Sequence, residues 1–429
     1  MTEPPQKLSA ATIFIMVTVV IDALAIGIIV PVLPPLVVQL AGGNEERGAI
    51  IYGLFGTTFA LMQFIFSPMI GAVSDRFGRR PVILLSNFGL GLDYILMALA
   101  PSLGWLFVGR VIAGITGASM SAAGAYIADV TPLSKRAAGF GMLGAAFGLG
   151  FILGPAIGGL LGQIGGPRLP FWIAAAGTLL NATYGLFILP ESLAREHRRA
   201  FSWKRANPVG ALGLLRAHRE LLGLAGVTWL FYLAHESLPS AFVLYAGYRF
   251  GWEKGTVGLT LAWAGICSMV IQGTLVQPVV RRFGERRAVL AGLTFGMLGF
   301  VIYGLAPTGL LFALGIPVMA LWGFYGAASQ GLMTRRVSVS EQGQLQGSLT
   351  GLRGIAGLIG PGLFTGTYAA AIGPLANWNL PGAPFLLASA LLGLGLVIAW
   401  QVTQGPVPRH DTRVDSDPDP DPQAELVES

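Results

Sequence analysis

The chain has 429 residues, of which 53% are hydrophobic and only 11% charged, with a mean hydropathy of +0.67. A soluble domain carries about 25% charged residues, so this composition excludes a water-soluble protein and requires lipid as the solvent for its apolar surface. The net charge of +6 does not point to nucleic acid, because the cations sit in short links between apolar runs, where they act as topology signals rather than a phosphate-binding face.

A membrane-crossing helix needs about 20 mostly apolar residues. Twelve runs satisfy this: α1 (9–33), α2 (48–70), α3 (81–99), α4 (104–126), α5 (136–162), α6 (170–190), α7 (218–247), α8 (255–279), α9 (287–306), α10 (309–332), α11 (343–371) and α12 (383–402). Residues 1–8 read as a short polar cytoplasmic tail. The first apolar run is too long for a signal-peptide core and is expected to stay as an anchor. The link 191–217, rich in Arg, Lys and His, separates a bundle over 9–190 from one over 218–402. The acidic tail 403–429, with Asp-Pro repeated over 417–422, is expected to be disordered. Cys267, the sole cysteine, lies inside α8 and excludes an intramolecular disulfide. The predicted fold class is therefore an all-α integral membrane protein, with twelve transmembrane helices in two six-helix bundles.

With the N-terminus inside, 21 of the 27 Lys and Arg side chains fall on the cytoplasmic side. Arg47, Arg168, Arg249 and Lys254 fall outside, and Arg110 and Arg353 lie within helices. This asymmetry places both termini in the cytoplasm. The halves also echo each other. Arg76-Phe77-Gly78 recurs as Arg282-Phe283-Gly284, and Gly154-Pro155 as Gly360-Pro361, both at an offset of 206 residues. Paired repeats around a central cavity are a transporter plan.

Among 21 acidic residues, Asp22, Asp93 and Glu236 alone lie well inside predicted helices. A carboxylate in the bilayer costs several kcal/mol, so such groups face the bundle interior or water. At about 1.5 Å per residue from the cytoplasmic helix ends, Asp22, Asp93, Arg110 and Glu236 all come out near 20 Å deep. They form a candidate cluster for proton relay or substrate anchoring, or a static set of ion pairs between helices. His235 beside Glu236 belongs to the same set. Gln63 in α2, Gln272 in α8, Asn181 in α6 and Arg353 in α11 are candidates to meet a substrate; the two glutamines equally suit helix bridging, and Arg353 equally suits a lock against a loop. In α5, Gly144/Gly148, Gly150/Gly154 and Gly154/Gly158, with Gly159 beside them, make a smooth stripe for close backbone contact. Pro155 should kink it. The stripe is expected to pack on the other half and help seal one side of the cavity. Most Trp, Phe and Tyr are expected to face lipid or the interface.

No Gly-x-x-x-x-Gly-Lys-Ser/Thr loop is present, which excludes ATP as an energy source through this chain. No His-Glu-x-x-His, Cys/His metal cluster or Gly-x-Ser-x-Gly elbow is present either, so no metal site, cofactor or enzyme activity is expected.

The link Gly71-Ala72-Val73-Ser74-Asp75-Arg76-Phe77-Gly78-Arg79-Arg80-Pro81 resembles the loop 2–3 signature of the major facilitator superfamily. Residues 150–159 resemble the α5 signature of its drug:proton antiporters. The nearest likeness is to the tetracycline-resistance efflux branch, through Asp22-Ala23 and Pro31 to Pro34 in α1, Leu92-Asp93-Tyr94 in α3, and Gly109-Arg110 with Gly114 to Ala118 in α4. The resemblance implies proton-coupled export of a small lipophilic or amphipathic compound by alternating access, from a monomer in the bacterial inner membrane. The alternative is proton-coupled import or facilitated passage of a polar solute. It implies coupling and cavity roles for Asp22, Asp93 and Arg110, and polar cavity positions for Gln63 and Gln272. It also implies a latch in which Gly71, Asp75, Arg76, Gly78, Arg79 and Arg80 close against α11 in the outward-open state. Ser268 and Gly296 stand where the tetracycline pumps carry a histidine and an aspartate, and His235-Glu236 has no counterpart there, so the substrate is not fixed by the resemblance.

Overall fold

A computed structural model describes residues 10–117, 119–131, 136–198, 219–338 and 341–404. The predicted tails and central link fall largely on 1–9, 199–218 and 405–429, outside the described residues. Among the described residues, eleven helices are long and apolar enough to cross a membrane, and the shorter Leu103–Thr116 completes a set of twelve crossings.

Several crossings are interrupted, and proline explains two of the breaks. α1 runs over Ala10–Ile29, turns at 30–32 and resumes as Leu33–Leu40. Pro34 and Pro35 lack the N–H groups that the carbonyls of Val30 and Pro31 would accept. The crossing predicted to end at 33 therefore continues for another two turns. α7 is Arg219–His235 followed by Ser237–Phe250, broken at Glu236, where Pro239 leaves the His235 carbonyl without its helical donor. α4 is Leu103–Thr116 and Ser119–Val130 with Gly117 between them. α10 is Gly309–Ala320 and Phe324–Thr334, joined by a tight 3-10 turn ending at Gly323.

The charged link 71–81 is not a loop. α2 extends over Glu45–Phe77 and α3 starts at Arg79, leaving Gly78 alone as the turn (φ 107°, ψ 161°). At about 1.5 Å per residue, the 33 residues of α2 outrun the 30 Å hydrocarbon layer, so its last turns carry their charges out of lipid while staying helical. The second half repeats the device inside Val276–Leu305, where Gly284 (φ 80°, ψ 161°) divides α8 from α9. This backbone region is essentially glycine-only. The rest of α8 is Lys254–Thr274; α5, α6, α11 and α12 are Arg136–Ile164, Leu169–Ile188, Gln342–Ile372 and Ala383–Val402.

The 206-residue offset runs deeper than the sequence motifs. It maps Gly117 onto Gly323, the break in α1 onto that in α7, and Gly78 onto Gly284. Packing follows the same rule: α3 packs on α6 as α9 packs on α12, and α2 on α4 as α8 on α10. Two seams join the halves, α2 on α11 and α5 on α8, and they are equivalent under the repeat.

Both seams lie toward the end away from Gly78 and Gly284. Along the first, Glu46 meets Gly373, Gly53 meets Thr365, Gly56 meets Pro361, and Phe64 meets Gly354. Along the second, Gln163 donates to Glu253 at 2.7 Å, Gly159 meets Gly258, and Ile152 meets Gly265. Toward the other end, here called the basic end, a Cβ added at Gly141, Gly144 or Gly148 would meet no described atom within 4 Å. The two bundles are thus closed against each other at one end and spread apart at the basic end.

Of the α5 stripe, Gly150, Gly154 and Gly158 pack on Val20, Leu24, Gly27 and Ile28 of α1, in the same bundle. Only Gly159, with the Pro155 carbonyl, reaches the other half, at Lys254 and Gly258. The expectation that the whole stripe faces the other half is corrected accordingly: the α1 backbone needs the bare face, because an added Cβ at Gly158 would land on the Ile28 carbonyl.

Candidate functional site

Asp93 on α3 is 1% exposed, and neither carboxyl oxygen has a hydrogen-bond partner among the described residues. It can sit there because Gly109 on α4 has no side chain; a Cβ at 109 would lie 3.0 Å from Asp93 Oδ1. One residue on, Arg110 turns back toward α3 and α2. Its guanidinium donates to Met97 Sδ at 2.9 Å and lies 5.8 Å from the centre of the Phe59 ring. A soft sulfur and an aromatic face hold the cation without neutralising it. The Tyr94 hydroxyl lies within Coulombic range of Asp22, Asp93 and Arg110. Packing thus brings Asp93 of α3 and Arg110 of α4 together, and Asp22 of α1 shares their electrostatic influence on Tyr94.

The second bundle supplies a matching group. The half-buried Glu236 side chain fits against Gly360 on α11, one residue before Pro361. His235 stands 5.7 Å from the Trp322 ring, and the Arg353 guanidinium 6.0 Å from the Tyr232 ring. His235 and Glu236 both lie within Coulombic range of Arg353. Tyr52 on α2 connects the two groups. Its hydroxyl donates to the Pro239 carbonyl at 3.1 Å and lies within Coulombic range of both Arg110 and Glu236.

His235, Gln272 and Arg353 are exposed although they lie within their crossings, where polar side chains face the bundle interior or water rather than lipid. Gln272 is next to Gly323 at the break in α10, with its Cγ 3.4 Å from the Cβ position of that glycine. Gln63 stands in the same relation to Gly117 at the break in α4, its Nε2 3.6 Å away. Each half therefore sets one glutamine beside an interrupted helix. Asn181 does not join the cluster. It is buried between α6 and α1, where its Nδ2 donates to Thr18 Oγ1 at 3.2 Å.

The predicted latch residues bond within the first bundle. Arg79 pairs with Asp75 at 2.6 Å and Asp129 at 3.1 Å, and its backbone N–H donates to Glu191 at 2.8 Å. Arg80 donates to the Leu186 carbonyl at 2.6 Å. Arg76 stacks on the adjacent, exposed Phe77, and Gly71 is half-buried inside α2. The described partners of these residues all lie outside α11.

Sequence reasoning missed Tyr52, Tyr94, Tyr232 and Trp322, having sent the aromatics to lipid. Instead Tyr94, Tyr245, Tyr325, Tyr368 and Trp322 are buried among helices. The legible signal was spacing: Tyr232 stands four residues before Glu236, the interval that puts two side chains on one helical face.

A sequence profile of the Major Facilitator Superfamily matches residues 15–361. The chain belongs to that superfamily. Within it, the chain is 38% identical to the class C tetracycline resistance protein of Escherichia coli over 90% of this chain and 95% of that protein. It is also 38% identical to the class G protein of Vibrio anguillarum, over 86% of this chain and 93% of that one. In fold it is similar to the nucleoside transporter NupG, with a TM-score of 0.74 at 12% identity, covering 92% of this chain and all of that one. The human organic anion transporter MFSD10 aligns with a TM-score of 0.67 at 24% identity over 92% and 100% of the two chains. This major facilitator protein is a multi-pass membrane transporter of the tetracycline-resistance branch, not an enzyme.

Proposed function

We propose that this protein is a proton-coupled antiporter that exports a small lipophilic or amphipathic compound by alternating access. One observation carries the reading. Tyr52 of the first bundle bonds across the α2–α11 seam to Pro239, and Arg110 of one bundle and Glu236 of the other both act on it, at the head of a chamber that opens toward the basic end. An ionisable group this deep in a bilayer is kept for a function.

By the distribution of Lys and Arg, the basic end is cytoplasmic, so this conformation receives cargo from the cell and lipid side. Gly159, Gly258 and the α2–α11 seam then form the outer gate. Asp93 is the group placed to carry a proton, since no hydrogen-bond donor among the described residues competes for its oxygens. Arg110, held by Met97 and Phe59, answers its charge when the proton leaves. Asp22 shares the same tyrosine and would alternate between proton and cargo. Each proton moving inward contributes about 2.3 kcal/mol per 100 mV, enough for one or two to drive a useful gradient. The same field and the inner membrane of a bacterium suit the tetracycline-resistance relatives, and a tetracycline is the first compound to try. Trp322 argues for a different cargo shape. Its indole occupies the space that any side chain at Gly296 would need, the position where the pumps of this branch carry an aspartate.

The test uses everted vesicles with an imposed pH gradient and a panel of drugs and dyes. Compounds that dissipate the gradient identify the cargo. Asp22→Asn and Asp93→Asn together should abolish gradient-driven export while protein remains in the membrane. Full activity in that double variant would overturn the coupling assignment.

A further inference from the structure

We propose that Arg353 forms an anion-receiving subsite, so that the chamber selects planar aromatic compounds bearing one negative charge. The inference rests on the chamber being the cargo site and names the class of cargo it prefers.

Arg353 is exposed to the chamber two helical turns before Gly360, where α11 meets Glu236. No carboxylate among the described residues comes within the 4.0 Å of an ion pair with it. Glu236 and His235 act on it only at longer range. The next residue, Gly354, is packed against Phe64 of α2, which pins this turn of α11 at the closed head of the chamber. An exposed guanidinium with no carboxylate this close among the described residues keeps its donors free for an incoming anion. Its planar fork suits a carboxylate in two parallel hydrogen bonds.

The surroundings define the rest of the ligand. The Tyr232 ring lies under the guanidinium. Phe231, on the same helix, lies 4.6 Å from Trp322 and 4.3 Å from Tyr325, ring centre to ring centre. Trp322 in turn flanks His235, and its buried indole N–H has no hydrogen-bond partner. A flat aromatic body matches the half-buried Tyr232 and Phe231 rings, which the buried Trp322 and Tyr325 back from the core, with its acid group on Arg353. The acids of the first bundle stand across the seam, so charge selection divides between the halves: protons on Asp22 and Asp93, the anion on Arg353.

The experiment measures equilibrium binding to the purified full chain in detergent, with no gradient. The probes are benzoate, 2-naphthoate and anthracene-9-carboxylate, each against its neutral carboxamide. The unmodified protein should prefer the carboxylates of the larger rings by about tenfold or more. R353Q should lose that preference while carboxamide affinity holds, and R353K should keep part of it. R353Q/E236Q should remain unselective. Equal affinity for acid and amide in the unmodified protein, equal weakening of both in R353Q, or recovery of the preference in R353Q/E236Q would each overturn the proposal. The last result would make Arg353 merely the counter-ion of Glu236. Because no proton movement is measured, failure here is distinct from failure of the coupling variants.

Discussion

Arg79 and Glu285 occupy equivalent positions 206 residues apart and carry opposite charge. Each is bonded within its own half: Arg79 to Asp75 and Asp129, Glu285 to Arg335 at 3.0 Å. The offset carries Asp75 onto Arg281 and Asp129 onto Arg335, so the signs of this bonded trio are inverted between the bundles, while Arg76 and Arg80 map onto Arg282 and Arg286 unchanged. The second rim, with Arg281, Arg282, Arg286 and Arg335 around Glu285, is the more cationic, so Asp75 and Asp129 of the first rim favour its approach when that end closes. Arg79→Glu should destabilise the protein by about 1–3 kcal/mol, because the new carboxylate then sits among Asp75, Asp129 and Glu191. The triple change D75R/R79E/D129R copies the second-half pattern and should restore the thermal midpoint. Its turnover in vesicles should stay slow, since both rims now carry one sign. Full turnover in the triple variant would remove the idea of complementary rims.

Tyr52 donates across the seam to Pro239. Tyr52→Phe keeps the ring and deletes the bond, worth about 1 kcal/mol net, or roughly a fivefold shift in a two-state balance. The shift should favour opening at the end away from Gly78. Spin-label distances between α2 and α7 at that end should lengthen in a larger fraction of molecules; an unchanged distribution would show that the bond does not hold the gate.

Gly158 and Gly144 belong to one helix but differ in surroundings. An added methyl at 158 meets the Ile28 carbonyl, whereas one at 144 meets no described atom within 4 Å. Gly158→Ala should cost about 1–3 kcal/mol in thermal stability, and Gly144→Ala almost nothing. Gly144→Leu should nevertheless slow export, because closing the basic end brings that face of α5 into contact. Rapid export with leucine at 144 would mean that the stripe does not pack in the other conformation.

Gly78 and Gly284 share a backbone conformation closed to other residues, and alanine at either should cost about 1–3 kcal/mol. The cost should be greater at 78, where the new methyl would also strike the Glu191 carboxylate, while no described atom lies within 4 Å at 284. Melting curves of the two variants, compared in the same detergent, give the order; a larger loss at 284 would contradict it.

Hydropathy, the Lys/Arg asymmetry and the 206-residue echo were enough to read twelve crossings, two bundles and the membrane as solvent, because each is a property of local composition that lipid enforces on any arrangement of helices. Helical rise converts position in the chain into height, which is why the sequence sets Asp22, Asp93, Arg110 and Glu236 at one expected level. What height leaves open is direction around the helix axis. Only tertiary packing set Asn181 against Thr18 instead of the chamber, turned three stripe glycines toward α1, and brought Tyr52 of one half to the acid of the other. Those outcomes depend on which side chains meet across seams between segments far apart in the chain, and no single helix encodes its partner's face.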